Sequence, residues 1–145
     1  MSYVVKRLER SDYLRIVALW EAAGLHVKPR GRDTREAFEA QMASGVQTAL
    51  GIEDAAGELI GVVLATHDSR KGWINRLAVH PAHRRQGIAR QLIAAAEAVL
   101  HEQGIHIVAA LIEPENAASL ALFEAADYIE WPGLHYVSKR DSDDV

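Results

Sequence analysis

The chain contains no cysteine, which excludes disulfides, thiolate metal sites and a cysteine acyl-enzyme. Proline is scarce, at four residues, and aromatic side chains make up only 6% of the sequence. No apolar run approaches the roughly 20 residues that a membrane-spanning helix needs. The opening stretch Met1–Lys6 lacks the basic start and apolar run of a secretory signal, so a cytoplasmic location without a membrane partner is expected. Charge of one sign is also limited. The net charge is −4, which argues against a broad nucleic-acid footprint. Two local basic clusters stand out, His26–Arg32 and His83–Arg85 with Arg90. Reading the second as a recognition helix is weak, because no aromatics are interleaved with it.

What is present fits one soluble domain. Of 145 residues, 49% are apolar and 25% charged, a globular balance at a length suited to a single core. We expect one domain over residues 1–140 and an acidic flexible tail over 141–145. Val4–Leu8 reads as a strand, and Ser11 as the N-cap of a helix with Leu14, Val17 and Ala18 at helical spacing, ended by Gly24. Asp33 and Glu36 fit a capping box before a second helix through Ala43, stopped by Gly45. Thr48–Glu53 and Leu59–Thr66 are β-rich runs joined by a hairpin signal at Asp54–Gly57, and Trp73–Val79 is a further strand. Gln86–Gln103 is the longest helical stretch. Ile107–Ile112 then reads as a strand buried on both faces, Asn116–Ala125 as a short helix, and Tyr128–Trp131 with His135–Ser138 as a terminal strand pair. The order predicts a mixed α/β fold whose ligand binds beyond the carboxyl ends of the strands at Val79 and Ile112.

The densest chemistry lies in Leu77–Arg90, a strand, a tight turn and a helix start. A helix N-terminus leaves backbone N–H groups unpaired and carries partial positive charge, so it attracts anions. Gly87 admits an anion close to the backbone, Ala89 keeps the first turn accessible, and Arg84, Arg85 and Arg90 add charge suited to a pyrophosphate. No Gly-Lys-Ser/Thr follows, which excludes the P-loop spacing, and the three-glycine dinucleotide fingerprint is absent.

This turn resembles the GNAT superfamily of N-acetyltransferases. The Arg/Gln-x-x-Gly-x-Gly/Ala signature is met by Arg84, Gly87 and Ala89, after a Leu-x-Val-x-Pro strand end at Leu77, Val79 and Pro81. A second feature, Asn-x-x-Ala/Ser leading to an aromatic, is met by Asn116, Ser119 and Phe123. The resemblance implies a central twisted sheet of about seven strands with four helices, splayed between the fourth and fifth strands. It implies transfer of an acetyl group from acetyl-CoA to a primary amine of a small molecule or peptide. Backbone groups of Leu77, Ala78 and Val79 would hold the pantetheine arm. N–H groups of Arg85, Gln86, Gly87, Ile88, Ala89 and Arg90 would hold the pyrophosphate beside the charge of Arg84. Asn116 would contact the pantetheine or its surroundings, with Ser119 in the same motif, and Phe123 would lie near the sulfur. Homodimers through the terminal strands and first helices are common in the family.

Only a neutral amine attacks a thioester, so a base or water chain is expected, with a proton donor for the leaving thiolate. Without cysteine, direct transfer in a ternary complex is the natural route. The family's usual groups do not all carry over. Phe123 stands where many members have a tyrosine acid, and Asp127-Tyr128 where Gly-Phe is usual. Trp73 and Leu111 fall where some members place a glutamate. Glu113 as base, Asn75 as a water-positioning group and Tyr136 as donor are the substitutes, with His135 beside the last. An alternative is an acyl-CoA-binding or regulatory module with reduced catalysis. His80 and His83 are too few for a metal site, and no metal is expected.

Overall fold

The computed structural model describes residues 3–145; Met1 and Ser2, which belong to the stretch read above for a signal, lie outside the described residues. One mixed sheet forms the middle layer. Its strands are β1 (Val5–Arg7), β2 (Gln47–Glu53), β3 (Leu59–His67), β4 (Gly72–Val79) and β5 (Val108–Ala109), and they lie in sequence order. The first four are antiparallel neighbours, and β5 runs parallel to β4. Helices α1 (Tyr13–Ala22) and α2 (Arg35–Ala43) precede β2, α3 (Ile88–Glu102) joins β4 to β5, and α4 (Ala117–Ala125) follows β5.

Strand alternation sends side chains to two cores. Leu50, Ile52, Val63 and Ile74 pack under Ile88, Leu92, Ala96 and Leu100 of α3, with Phe123 of α4. Ala49, Val62, Leu64 and Ala78 point to the other face, where Ile16, Leu19 and Trp20 of α1 and Phe38 of α2 cover them. Strand β3 is therefore buried on both sides along most of its length. Among the described residues no helix is long and apolar enough to cross a membrane.

Among the described residues the sheet has five strands rather than about seven. Tyr128–Trp131 and His135–Ser138 form no strand, and Ile129, Trp131, Leu134, Tyr136 and Val137 are exposed. The predicted Ile107–Ile112 strand shrinks to Val108–Ala109 for a related reason. With no strand on its outer edge, β5 is held only by β4, and Ile107 and Leu111 face solvent. Two helix starts also differ from expectation. Ser11 lies within a short 3-10 turn, Arg10–Asp12, so α1 begins later and buries Ile16, Leu19 and Trp20 while Leu14 is exposed. Helix α2 is capped by Thr34, whose hydroxyl accepts from the Ala37 N–H, rather than by Asp33.

Candidate functional site

The parallel pairing of β4 with β5 is confined to Gly72 opposite Val108 and Trp73 opposite Ala109. Past that point the strands part, and β4 runs on from Ile74 to Val79 with no neighbour on that side. At about 3.3 Å per residue this leaves a free strand edge on the order of 20 Å long. Such an edge is a row of peptide groups that an extended, amide-bearing ligand can pair with as a further strand would.

A β-bulge interrupts β4 in the same stretch. Leu64 faces Asn75 and Val62 faces Ala78, so Val63 stands opposite both Arg76 and Leu77. Arg76 takes the left-handed conformation, with φ 54°. A bulge takes its extra residue out of the ladder and re-aims the adjoining peptide groups.

Beyond Val79 the chain makes a 3-10 turn, Pro81–His83, in which His80 Nδ1 accepts from the Ala82 N–H at 3.1 Å. Arg85 and Gly87 then adopt positive φ, 63° and 79°, and Gly87 is the N-cap of α3. Glycine has no Cβ penalty there. No side chain caps this helix, and among the described residues no backbone N–H from Arg85 to Arg90 finds a protein acceptor. The turn is exposed at Arg84, Arg85, Gln86, Gly87 and Arg90, while Ile88 is buried as the anchor. Several unpaired N–H groups, the helix dipole and three arginines at one solvent-open point have the donor set for a pyrophosphate. Part of Arg84 is already engaged, reaching the Ala23 carbonyl at 3.4 Å, and the Gln86 side chain accepts from the Tyr3 hydroxyl at 2.5 Å.

The remaining sequence candidates divide. Leu77 and Val79 of β4, Ile112 of the loop after β5 and Phe123 of α4 belong to one hydrophobic cluster. Phe123 is buried and meets Tyr128 edge-on, ring centroids 5.0 Å apart. Asn116 caps α4, its Oδ1 accepting from the Ser119 N–H at 3.1 Å, which leaves its amide nitrogen free for another partner. Asn75 donates to Thr66 Oγ1 at 2.8 Å across the β3–β4 pair. Glu113 is exposed on the loop after β5, and Tyr136 is exposed on the segment after α4.

Two features were not anticipated from the sequence. Arg76 lies over the Trp20 ring at 4.4 Å, donates to the His26 carbonyl at 2.9 Å and pairs with Asp33 at 3.2 Å. Burial pulls this guanidinium below its ordinary pKa, against the attraction of Asp33. A lone arginine amid Ile74, Leu77 and Val79 was the signal, since a charge in a mostly apolar strand needs a partner. The second is Tyr128, whose hydroxyl donates to Glu97 of α3 at 2.6 Å; burial, followed by this carboxylate, drives its pKa strongly upward.

The sequence profile of the acetyltransferase (GNAT) family matches residues 12–128. An acetyltransferase of Sodalis glossinidius is 25% identical over 136 residues, covering 94% of each chain. Two solved structures superpose over 97% of this chain, each with a TM-score of 0.79. One is AAC(6')-Iy in complex with the bisubstrate analogue CoA-S-monomethyl-acetylneamine, 19% identical with 99% of its chain covered. The other is an aminoglycoside acetyltransferase from an uncultured soil metagenomic sample, 22% identical with 100% covered.

Proposed function

The chain belongs to the acetyltransferase (GNAT) family, and from that premise we propose that it moves an acetyl group directly from acetyl-CoA to a primary amine within one ternary complex. The observation that carries this reading is the free edge of β4 leading straight into the uncapped start of α3. The free edge would pair with the amide-bearing pantetheine arm, and the N–H groups of Arg85–Arg90 would take the pyrophosphate. That leaves the thioester, the activated acyl donor, near the β4 bulge. Peptide groups of Arg76 and Leu77 freed by the bulge would stabilise the oxyanion as the amine adds. Glu113 takes the proton through water, and Asn75, fixed by Thr66, orients the water or the amine. Tyr136 reaches the leaving sulfur only if its exposed segment folds over the cleft, so the thiolate departs unassisted or through solvent.

The experiment is release of free thiol on mixing with acetyl-CoA and an amine panel. Glu113→Gln should depress the rate at saturating acetyl-CoA, and an unchanged rate removes Glu113 from the mechanism. One observation favours the second reading, a binding module with weakened chemistry: Phe123 has no hydroxyl and that of Tyr128 is engaged by Glu97. Tight acetyl-CoA binding by calorimetry with no thiol release across the panel would support that alternative. Aminoglycosides are polycations, and the basic His26–Arg32 loop disfavours them as acceptors here.

A further inference from the structure

The loop between α1 and α2 is fastened to the cofactor strand and turn at three points. Arg84 reaches Ala23, while Arg76 holds the His26 carbonyl and the Asp33 carboxylate. Residues 23–33 therefore run from the pyrophosphate turn to the β4 bulge, beside the position expected for the thioester. Leu25 and Val27 pack into the core beneath this loop, and Arg30 and Arg32 are exposed.

The loop already holds a peptide. The Lys28 ammonium donates to the Asp143 carbonyl, and Arg30 pairs with the Asp144 carboxylate at 3.1 Å. Gly31 lies flat against the same segment: a Cβ there would collide with the Asp144 carbonyl group. One contact reads a carboxylate and two read main chain, which is recognition of an acidic peptide rather than of an isolated anion. The ion pair is open to solvent, with the Arg30 side chain 81% exposed. Exposed pairs are weak and screened by salt, so the occupant is exchangeable.

We propose that Lys28, Arg30 and Gly31 form the acceptor subsite for an acidic peptide whose amine is acetylated, and that residues 141–144 occupy it as a tethered competitor. This rests on the acetyltransfer reading above. A flexibly tethered segment acts at an effective concentration in the millimolar range, so a peptide of similar chemistry displaces it at comparable concentrations. The segment thereby raises the apparent KM for peptide acceptors that use the subsite.

The test compares two peptides, Lys-Ser-Asp-Asp-Val and Lys-Ser-Asn-Asn-Val, which offer the same amines and differ in charge. With the full chain and acetyl-CoA, the acidic peptide should have a KM about two- to fivefold lower, the range expected from the one exposed ion pair that distinguishes the two peptides. Deleting 141–145 should lower that KM further by a similar factor, and Arg30→Glu should erase the preference for the acidic peptide. Gly31→Ala should both release the segment and weaken the acidic acceptor. A second readout needs no turnover: the amine-free peptide acetyl-Ser-Asp-Asp-Val, titrated into the deleted chain, should shift the amide resonances of residues 28–32, and Arg30→Glu should abolish the shifts. Equal KM values together with unmoved loop resonances overturn the proposal. Should acetyl-CoA bind without any transfer, the acetyltransfer reading falls, and the resonance titration still decides this one.

Discussion

Arg76 of β4 and Asp33 of the α1–α2 loop meet at 3.2 Å, with the guanidinium resting on Trp20. Asp33 also accepts from the Lys28 N–H at 2.7 Å, and its own carbonyl accepts from the Tyr13 hydroxyl at 2.5 Å. One carboxylate thus binds a bulged strand to a loop that has no regular structure of its own. The pair is largely shielded, its side chains 21% and 9% exposed, so removing one charge strands the other in a poorly solvated place.

Asp33→Asn should therefore destabilise the fold by about 2 kcal/mol, between the values for exposed and fully buried pairs. Urea denaturation checks this. Arg76→Met should cost a similar amount, and the double variant should cost less than the sum, because neither charge is then left alone. Additive losses would mean that the two side chains act independently and that Trp20 and the His26 carbonyl hold the arginine.

Gly87 separates strain from charge at the proposed cofactor turn. Nothing lies within 4 Å of a Cβ built on it, yet its φ is 79°. Gly87→Ala should cost about 1 kcal/mol of stability through backbone strain alone and weaken CoA only modestly. Gly87→Glu adds a negative charge where the pyrophosphate is expected and should weaken CoA by about a hundredfold, since like charges a few ångströms apart repel by several kcal/mol at an interfacial dielectric. Isothermal calorimetry with CoA distinguishes the two, and equal losses would place the phosphates elsewhere.

Legibility in the sequence follows how local each determinant is. The β4–turn–α3 unit could be read because its glycine, strand residues and arginines lie within one short stretch, and the hairpin glycine Gly57 likewise takes the positive φ its turn needs. The buried face of α1 is not legible from spacing alone, because Leu14, Val17 and Ala18 recur as regularly as Ile16, Leu19 and Trp20; packing against the sheet buries the second set, with Val17 partly buried beside it. Asp33 resembled a capping residue by position, but Arg76, distant in sequence, claimed its carboxylate. The fifth strand failed for a converse reason. Its apolar run implied neighbours on both sides, and the segment meant to supply one forms no ladder. The bulge at Arg76 has no local signal beyond the charge itself, since a left-handed arginine is not predicted by propensity.

Tyr128→Phe probes the hydrogen bond that ties the chain after α4 to α3. The hydroxyl donates to Glu97 at 2.6 Å, and its pKa in the folded chain is raised above the ordinary 10.0. A raised folded pKa means that the stabilisation is fully present below pH 10 and is lost as pH climbs, because the unfolded chain ionises first. The variant should be about 1 to 2 kcal/mol less stable at pH 7, the usual range for a hydrogen bond to a charged group. The gap should narrow above pH 10. Paired denaturation curves at pH 7 and pH 11 check it; a gap unchanged at the higher pH would show that Tyr128 contributes through its ring against Phe123 and not through its hydroxyl.

Gly61 couples packing to the proposed cofactor site. It pairs with Val79 in the ladder and sits beneath the first turns of α3, where an added Cβ would come within 2.7 Å of Ile88 Cγ2 and 3.0 Å of Leu92 Cδ1. Ile88 is β-branched and buried, so its methyl has little freedom to yield. Gly61→Ala should then lift the start of α3 from the sheet, costing about 1–3 kcal/mol as overpacking commonly does. Because the same turn presents the unpaired N–H groups, CoA affinity should fall alongside stability. Ile88→Ala removes the obstructing methyl and should restore part of both in the double variant, giving a favourable coupling energy. Calorimetry and denaturation on the four members of the cycle provide the test. A loss of stability with CoA affinity intact would mean that the phosphate turn is positioned independently of the helix it begins.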